Sequence, residues 1–159
     1  MQAITHRGIR PPIAAAADLT RWRSAITQGN HAFDAADYIK AAHHYRLARA
    51  IAGELFGIAA DADAGVAALV IAHHNLADAC EYMNRHAEQG AQLCAVHQQL
   101  CQAMDDPALD ASWRMAAWRH SQRTYAELTR FANRHPGHAQ ARALLAQGAA
   151  GPRSGPGAH

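Results

Sequence analysis

The chain has 159 residues, half of them apolar and only 6% aromatic, and a formal net charge of +2. That length suits one domain with a real core, and so balanced a charge does not by itself imply a nucleic-acid or anionic-membrane partner. Alanine dominates the apolar half, and strong helix formers with few β-branched residues favour closely packed helices over a sheet.

In chain order, residues 1–16 read as a disordered arm containing Arg10-Pro11-Pro12. The arm has basic side chains but no apolar stretch ahead of a small-residue cleavage site, so no signal peptide is expected. Residues 17–148 read as a helical domain, and the Gly/Pro-rich residues 149–159 as a disordered tail. The first helix runs from Asp18, its N-cap, to Ala35, with Leu19, Trp22, Ile26, Gly29 and Phe33 on one face. The second begins at Asp37 and carries Tyr38, Ala41, Ala42, Tyr45, Ala48, Ala52, Leu55 and Phe56. A break at residues 61–65 precedes the third, striped by Val66, Leu69, Val70, His73, Leu76, Ala77, Cys80 and Met83. Its apolar run, residues 66–72, is too short to span a bilayer. The fourth, from about Ala87 to Met104, aligns Gly90, Leu93, Cys94, His97, Leu100 and Cys101. The fifth, from about Asp110 to Arg134, aligns Trp113, Ala116, Ala117, His120, Thr124, Leu128 and Phe131. His135-Pro136-Gly137 stops it, and a short alanine-rich helix follows to about Gln147. Short turns make successive helices antiparallel, which leaves an all-α stack of helical hairpins or a closed helical bundle.

The stretch from Gly29 to Ala48 resembles a tetratricopeptide repeat. The resemblance rests on Gly29 deep in the first helix, the Asp37-Tyr38 turn, and Ala41, Tyr45 and Ala48 in the second. Small residues there let two helices approach, and Tyr45 fills the gap between them. A second, degenerate repeat follows at His74-Asn75-Leu76-Ala77, Cys80 and Gly90, its turn fitting with about one extra residue. A third runs from Trp118 through Tyr125 to His135-Pro136. Gly29 and Ala77 lie 48 residues apart in the sequence, against the family's period of ~34. The resemblance implies a right-handed stack whose first helices line a peptide groove. That groove would offer Asn30, Phe33 and Asp34, then His74, Asn75, Asp78 and Tyr82, then Arg119 and Arg123. Asn30 and Asn75 stand where family members place asparagines that grip a peptide backbone, a task suited to an amide that both donates and accepts. The plainer reading is that Asn75 serves its own hairpin.

A second set of residues suggests different chemistry. Cys94, His97 and Cys101 share one face of the fourth helix, and Cys80 and Met83 share the facing stripe of the third. Thiolate, thioether and imidazole make a soft site suited to Cu(I) or Zn(II). The competing reading is core packing, with the thiols dispersed and His97 bonded to a backbone carbonyl or water. The pairs His43-His44 and His73-His74 diverge by ~100° within each pair, so at most one of each faces a common point. Nucleophile elbow, phosphate loop and dinucleotide turn are missing from the sequence. Asp61, Asp63, Asp105 and Asp106 sit at helix breaks, where Asp caps. The arginines at 114, 119, 123, 130 and 134 lack the interleaved aromatics of a nucleic-acid surface.

The expectation is therefore a non-enzymatic module that binds a partner protein or peptide through an inner groove. No cofactor, membrane or nucleic-acid partner is expected, and a homo-oligomer stays open. Three cysteines cannot all pair internally, which fits a reducing cytoplasm. The alternative is a helical protein binding Cu(I) or Zn through Cys80, Met83, Cys94, His97 and Cys101.

Overall fold

Alanine-rich amphipathic segments joined by turns of a few residues give six helices in a computed structural model, which describes residues 12–148 and side chains from residue 19 onward. They are α1 (Pro12–Asp34), α2 (Tyr38–Leu55), α3 (Ala62–Tyr82), α4 (His86–Met104), α5 (Ala111–Arg134) and α6 (Ala139–Gly148). No strand occurs among the described residues, and the fold is all-α.

Two boundaries differ from expectation. α1 starts at Pro12 rather than at Asp18. Ala14 to Ala17 have the highest helix propensity of any residue, so the helix propagates back over them to a proline suited to its first turn. The rest of the arm, residues 1–11, and the tail, residues 149–159, lie outside the described residues. The expected break at residues 61–65 falls earlier. Asp61 is already the N-cap of α3, its carboxylate accepting from the Ala64 amide at 3.1 Å. Gly65 lies inside the helix, where a Cβ would collide with the Trp113 ring, so it is a packing glycine and not a breaker.

The first two hairpins are closed by the same backbone device. Ala36 and Asn84 both adopt positive φ, 59° and 55°. After them Asp37 N–H donates to Ala32 O at 2.9 Å, and Arg85 N–H donates to Cys80 O at 2.8 Å. These are six-to-one helix closures. The second turn needs no extra residue, so the 48-residue spacing of Gly29 and Ala77 holds through the turn as well. The α5–α6 turn closes differently, with His135 N–H on Phe131 O and His138 N–H on His135 O.

Helix order in space follows helix order in sequence. α1 packs on α2 and α3, α3 on α2, α4 and α5, and α5 on α4 and α6, while α4 also touches α6. Among the described residues α1 makes no such contact with α4, α5 or α6, which a closed bundle would require, so the described array is open. Ile51, Leu55, Val66, Leu69, Val96, Leu100 and Trp113 form the core that ties α2 to α5. At the N-terminal end Tyr45 lies across Gly29, with Ala41 and Ala48 fully buried beside it. α6, about 15 Å of helix over its 10 described residues, packs on both α4 and α5.

Candidate functional site

Two regions gather functional side chains. The first is the face shared by α1 and α3. Tyr45 O–H donates to Asn30 Oδ1 at 2.7 Å, and Asn75 Nδ2 donates to the same oxygen at 3.4 Å. The two asparagines therefore meet across the hairpins. Burial and the nearby Asp34 and Asp78 push the Tyr45 phenol up to about 12, so it stays a donor. Next to this pair, Tyr82 stacks on Tyr38 at 4.9 Å between ring centroids, and Phe33 meets both rings edge-on at 5.2 and 5.1 Å. Tyr82 is 59% exposed and the neighbouring Ile39 71% exposed.

The rest of the expected groove is divided. Asp34, Asp78 and Arg123 are exposed. Arg119 is tied to Asp63 at 3.0 Å, with His120 on the same oxygen at 3.1 Å, and these bonds hold the Asp63 carboxyl below its ordinary range. His74 does not face a groove at all. It is 7% exposed, and both ring nitrogens are buried without a hydrogen-bond partner among the described residues. Its position on α3 turns it into the seam with α5, because α5 covers that side of the helix. Desolvation pushes its pKa down to about 4.

The second region is a cavity of about 500 Å³ between α4, α5 and the last turn of α6. Gly148, the last described residue of α6, lies against the Tyr125 ring at its edge. His97 and Cys101, one turn apart on α4, line it, together with Trp118 and Tyr125 of α5. His97 is 6% exposed, its Nδ1 lies 2.8 Å from Thr124 Oγ1, and its Nε2 lies 3.6 Å from Cys101 Sγ. Thr124 in turn donates its hydroxyl hydrogen to Ser121 O at 3.1 Å. The Tyr125 ring stands 5.8 Å from the imidazole, between centroids.

The five-residue soft-metal set does not assemble. Cys80 packs with Leu76, Ala79 and Tyr45, and Met83 lies half-buried against the same cluster. Cys94 belongs to a different cluster with Leu128 and Phe131. Helical periodicity fixed the shared face of Cys94, His97 and Cys101, but α5 and α6 bury Cys94 while Cys101 lines the cavity between α4, α5 and α6. Among the described residues no three His, Cys, Asp or Glu side chains form a metal-holding group. His73 Nδ1 is bonded to Leu69 O at 2.8 Å, and among the described residues neither His pair belongs to a metal-holding group of three. The site residue missed in the sequence is Thr124. Its signal was a polar side chain on the apolar stripe of α5, placed to meet the one histidine on the stripe of α4.

The fold and its two regions define an open array of antiparallel helical hairpins with an asparagine-aromatic face at one end and a thiol–imidazole cavity at the other. Residues 20–151 match the model of the family described as "Protein of unknown function (DUF2753)", and the chain belongs to that family. No curated protein matches the chain, and no solved structure does. The expected tetratricopeptide membership is thereby corrected: no tetratricopeptide model matches, and the family that covers the chain is a different one. The residues behind that resemblance meet a general demand. Any two helices packed this closely need small residues such as Gly29, Ala41 and Ala48 at the crossing, and a ring such as Tyr45 to fill it.

Proposed function

We propose that this protein is a non-enzymatic docking module that holds an extended segment of a partner polypeptide on the α1–α3 face. The observation that carries this reading is the Asn30–Asn75 pair. Asn30 Oδ1 is engaged twice, which leaves Asn30 Nδ2 and Asn75 Oδ1 as an adjacent donor and acceptor. One donor and one acceptor side by side match the two polar groups of a peptide unit. The Phe33–Tyr38–Tyr82 cluster lies within the same face and offers the aromatic area that dominates docking energies. Arg119 and His120 serve Asp63, so the binding face ends before α5.

Photo-crosslinking from a benzophenone side chain at position 82, in extract of the source cells, tests the reading. A discrete crosslinked polypeptide is expected, lost on Asn75→Ala and displaced by its own synthetic segment. Asn75→Ala should weaken binding by about 1–3 kcal/mol while the melting temperature stays within a degree or two. Tyr82→Ala should weaken it by more than about 1 kcal/mol. Crosslinks equally frequent from a control position on α6, or insensitive to both variants, would overturn the proposal. Crosslinking to a second copy of this chain would reassign the face to self-association.

A further inference from the structure

The α1–α3 face carries a charge pattern that the asparagine pair and the aromatic rings leave unused. On α3, Asn75, Asp78 and Tyr82 follow one another at successive turns, and on α1 Asp34 lies one turn beyond Asn30. Asp34 and Asp78 both act on the Tyr45 phenol, which is bonded to Asn30, so the two carboxylates flank the asparagine pair. Among the described residues the ion pairs use Asp63, Glu81, Glu88 and Glu127, while Asp37 and Asp61 cap helices. Asp34 and Asp78 are left without a countercharge in contact.

The arginines of α5 do not fill that gap. Arg119 serves Asp63, Arg130 serves Glu127 and Arg134 serves Glu81. Arg123 does act on Asp78, but desolvation and the negative charges of Glu81 and Glu127 outweigh it and push that carboxyl up to about 6. A carboxylate drawn out of water among like charges favours an incoming cation. One turn further along α3 the Tyr82 ring is 59% exposed, and an aromatic face attracts a cation through its quadrupole.

We infer that the α1–α3 face takes a basic polypeptide segment, one of whose lysines or arginines sets its charge against Asp34 and Asp78 and its apolar stem against Tyr82. This partner chemistry rests on the docking role proposed above. A peptide unit held by Asn30 Nδ2 and Asn75 Oδ1 lies about one helical turn, roughly 5 Å, from the carboxylates, a distance that a lysine or arginine side chain spans. An acidic or phosphorylated segment would meet two unpaired carboxylates and be repelled. A free polyamine would bring the charge but no peptide unit for the asparagines.

The test titrates the isotope-labelled full chain at pH 7 with alternating Ala-Lys, Ala-Gln and Ala-Glu decapeptides and follows the side-chain amide resonances of Asn30 and Asn75. The Ala-Lys peptide should shift both saturably and bind at least about tenfold tighter than Ala-Gln, with Ala-Glu the weakest. Asp34→Asn together with Asp78→Asn should bring Ala-Lys down to the affinity of Ala-Gln without lowering the melting temperature. Glu54→Gln, which removes an exposed carboxylate near the end of α2, should change it by less than about twofold. Ala-Gln or Ala-Glu binding as tightly as Ala-Lys to the wild type would overturn the basic partner without recourse to any variant. No shift of Asn30 and Asn75 by Ala-Lys, or binding that survives the double variant, would overturn it as well. Docking itself is read by the crosslink from position 82: a captured segment without lysine or arginine overturns the basic partner alone and leaves the docking role standing.

Discussion

Two histidines, equally buried, lie in neighbouring seams of this molecule. His74 in the α3–α5 seam is 7% exposed and His97 in the α4–α5 seam is 6% exposed. Neither ring nitrogen of His74 finds a partner among the described residues, whereas His97 is engaged at Nδ1 by Thr124 and at Nε2 by Cys101. The first ring is a cost, since a buried polar group without a partner forfeits its hydration for nothing. The second is held in one orientation by the groups at its two nitrogens. Burial alone therefore says little about a histidine's role; the atoms that meet its two nitrogens decide it.

Acid should expose this difference most strongly. Desolvation sets the folded pKa of His74 at about 4, with Arg123 and His73 also disfavouring the proton and Glu127 favouring it. The unfolded chain takes up that proton near pH 6.5, so between these values it binds more protons than the folded one. The contribution is fully present above pH 6.5 and is lost as pH falls towards 4, roughly 3 kcal/mol in all. Asp78, pushed up to about 6 mainly by desolvation, acts in the opposite sense, but its exposed carboxyl is screened by solvent. Urea unfolding at pH 7, 5.5 and 4 should therefore show a steep loss in the wild type and a much shallower one in His74→Leu. Parallel profiles would mean that His74 finds a partner in solution.

At neutral pH the two seams should respond with opposite signs. His74→Leu replaces an unsatisfied imidazole with an apolar side chain and should raise stability by about 1–3 kcal/mol. His97→Leu removes a satisfied ring and should lower stability by about 0.5–1.5 kcal/mol, the smallest of these effects. Denaturant midpoints at pH 7 measure both. Equal signs would erase the distinction between the seams.

Much of the architecture was legible in one dimension. Apolar residues three and four apart fixed five long helices and a short one, and Asp37 and Asp61 cap α2 and α3 through their own side chains. The close approach at Gly29 was readable too, because only a residue without a side chain leaves room for the Tyr45 ring. Asn30 and Asn75 were placed on one groove only by the tetratricopeptide resemblance; the structure puts Asn75 Nδ2 3.4 Å from Asn30 Oδ1. The family was misread because the residues that resemble a tetratricopeptide repeat are those that tight helix crossing requires in general.

What the sequence determined by itself was local: which segments are helical, which stripe of each is apolar, and that Cys94, His97 and Cys101 point the same way. Whether those three side chains end in a core, in a metal site or in a cavity depended on what another helix lays over them, and that is a matter of length and position across the fold. α6 lays Ala141 into the cluster that buries Cys94, whereas Cys101 lines the cavity between α4, α5 and α6, and α5 brings Thr124 to His97. Periodicity records the direction of a side chain from its own helix axis, and only tertiary packing supplies the atoms it meets.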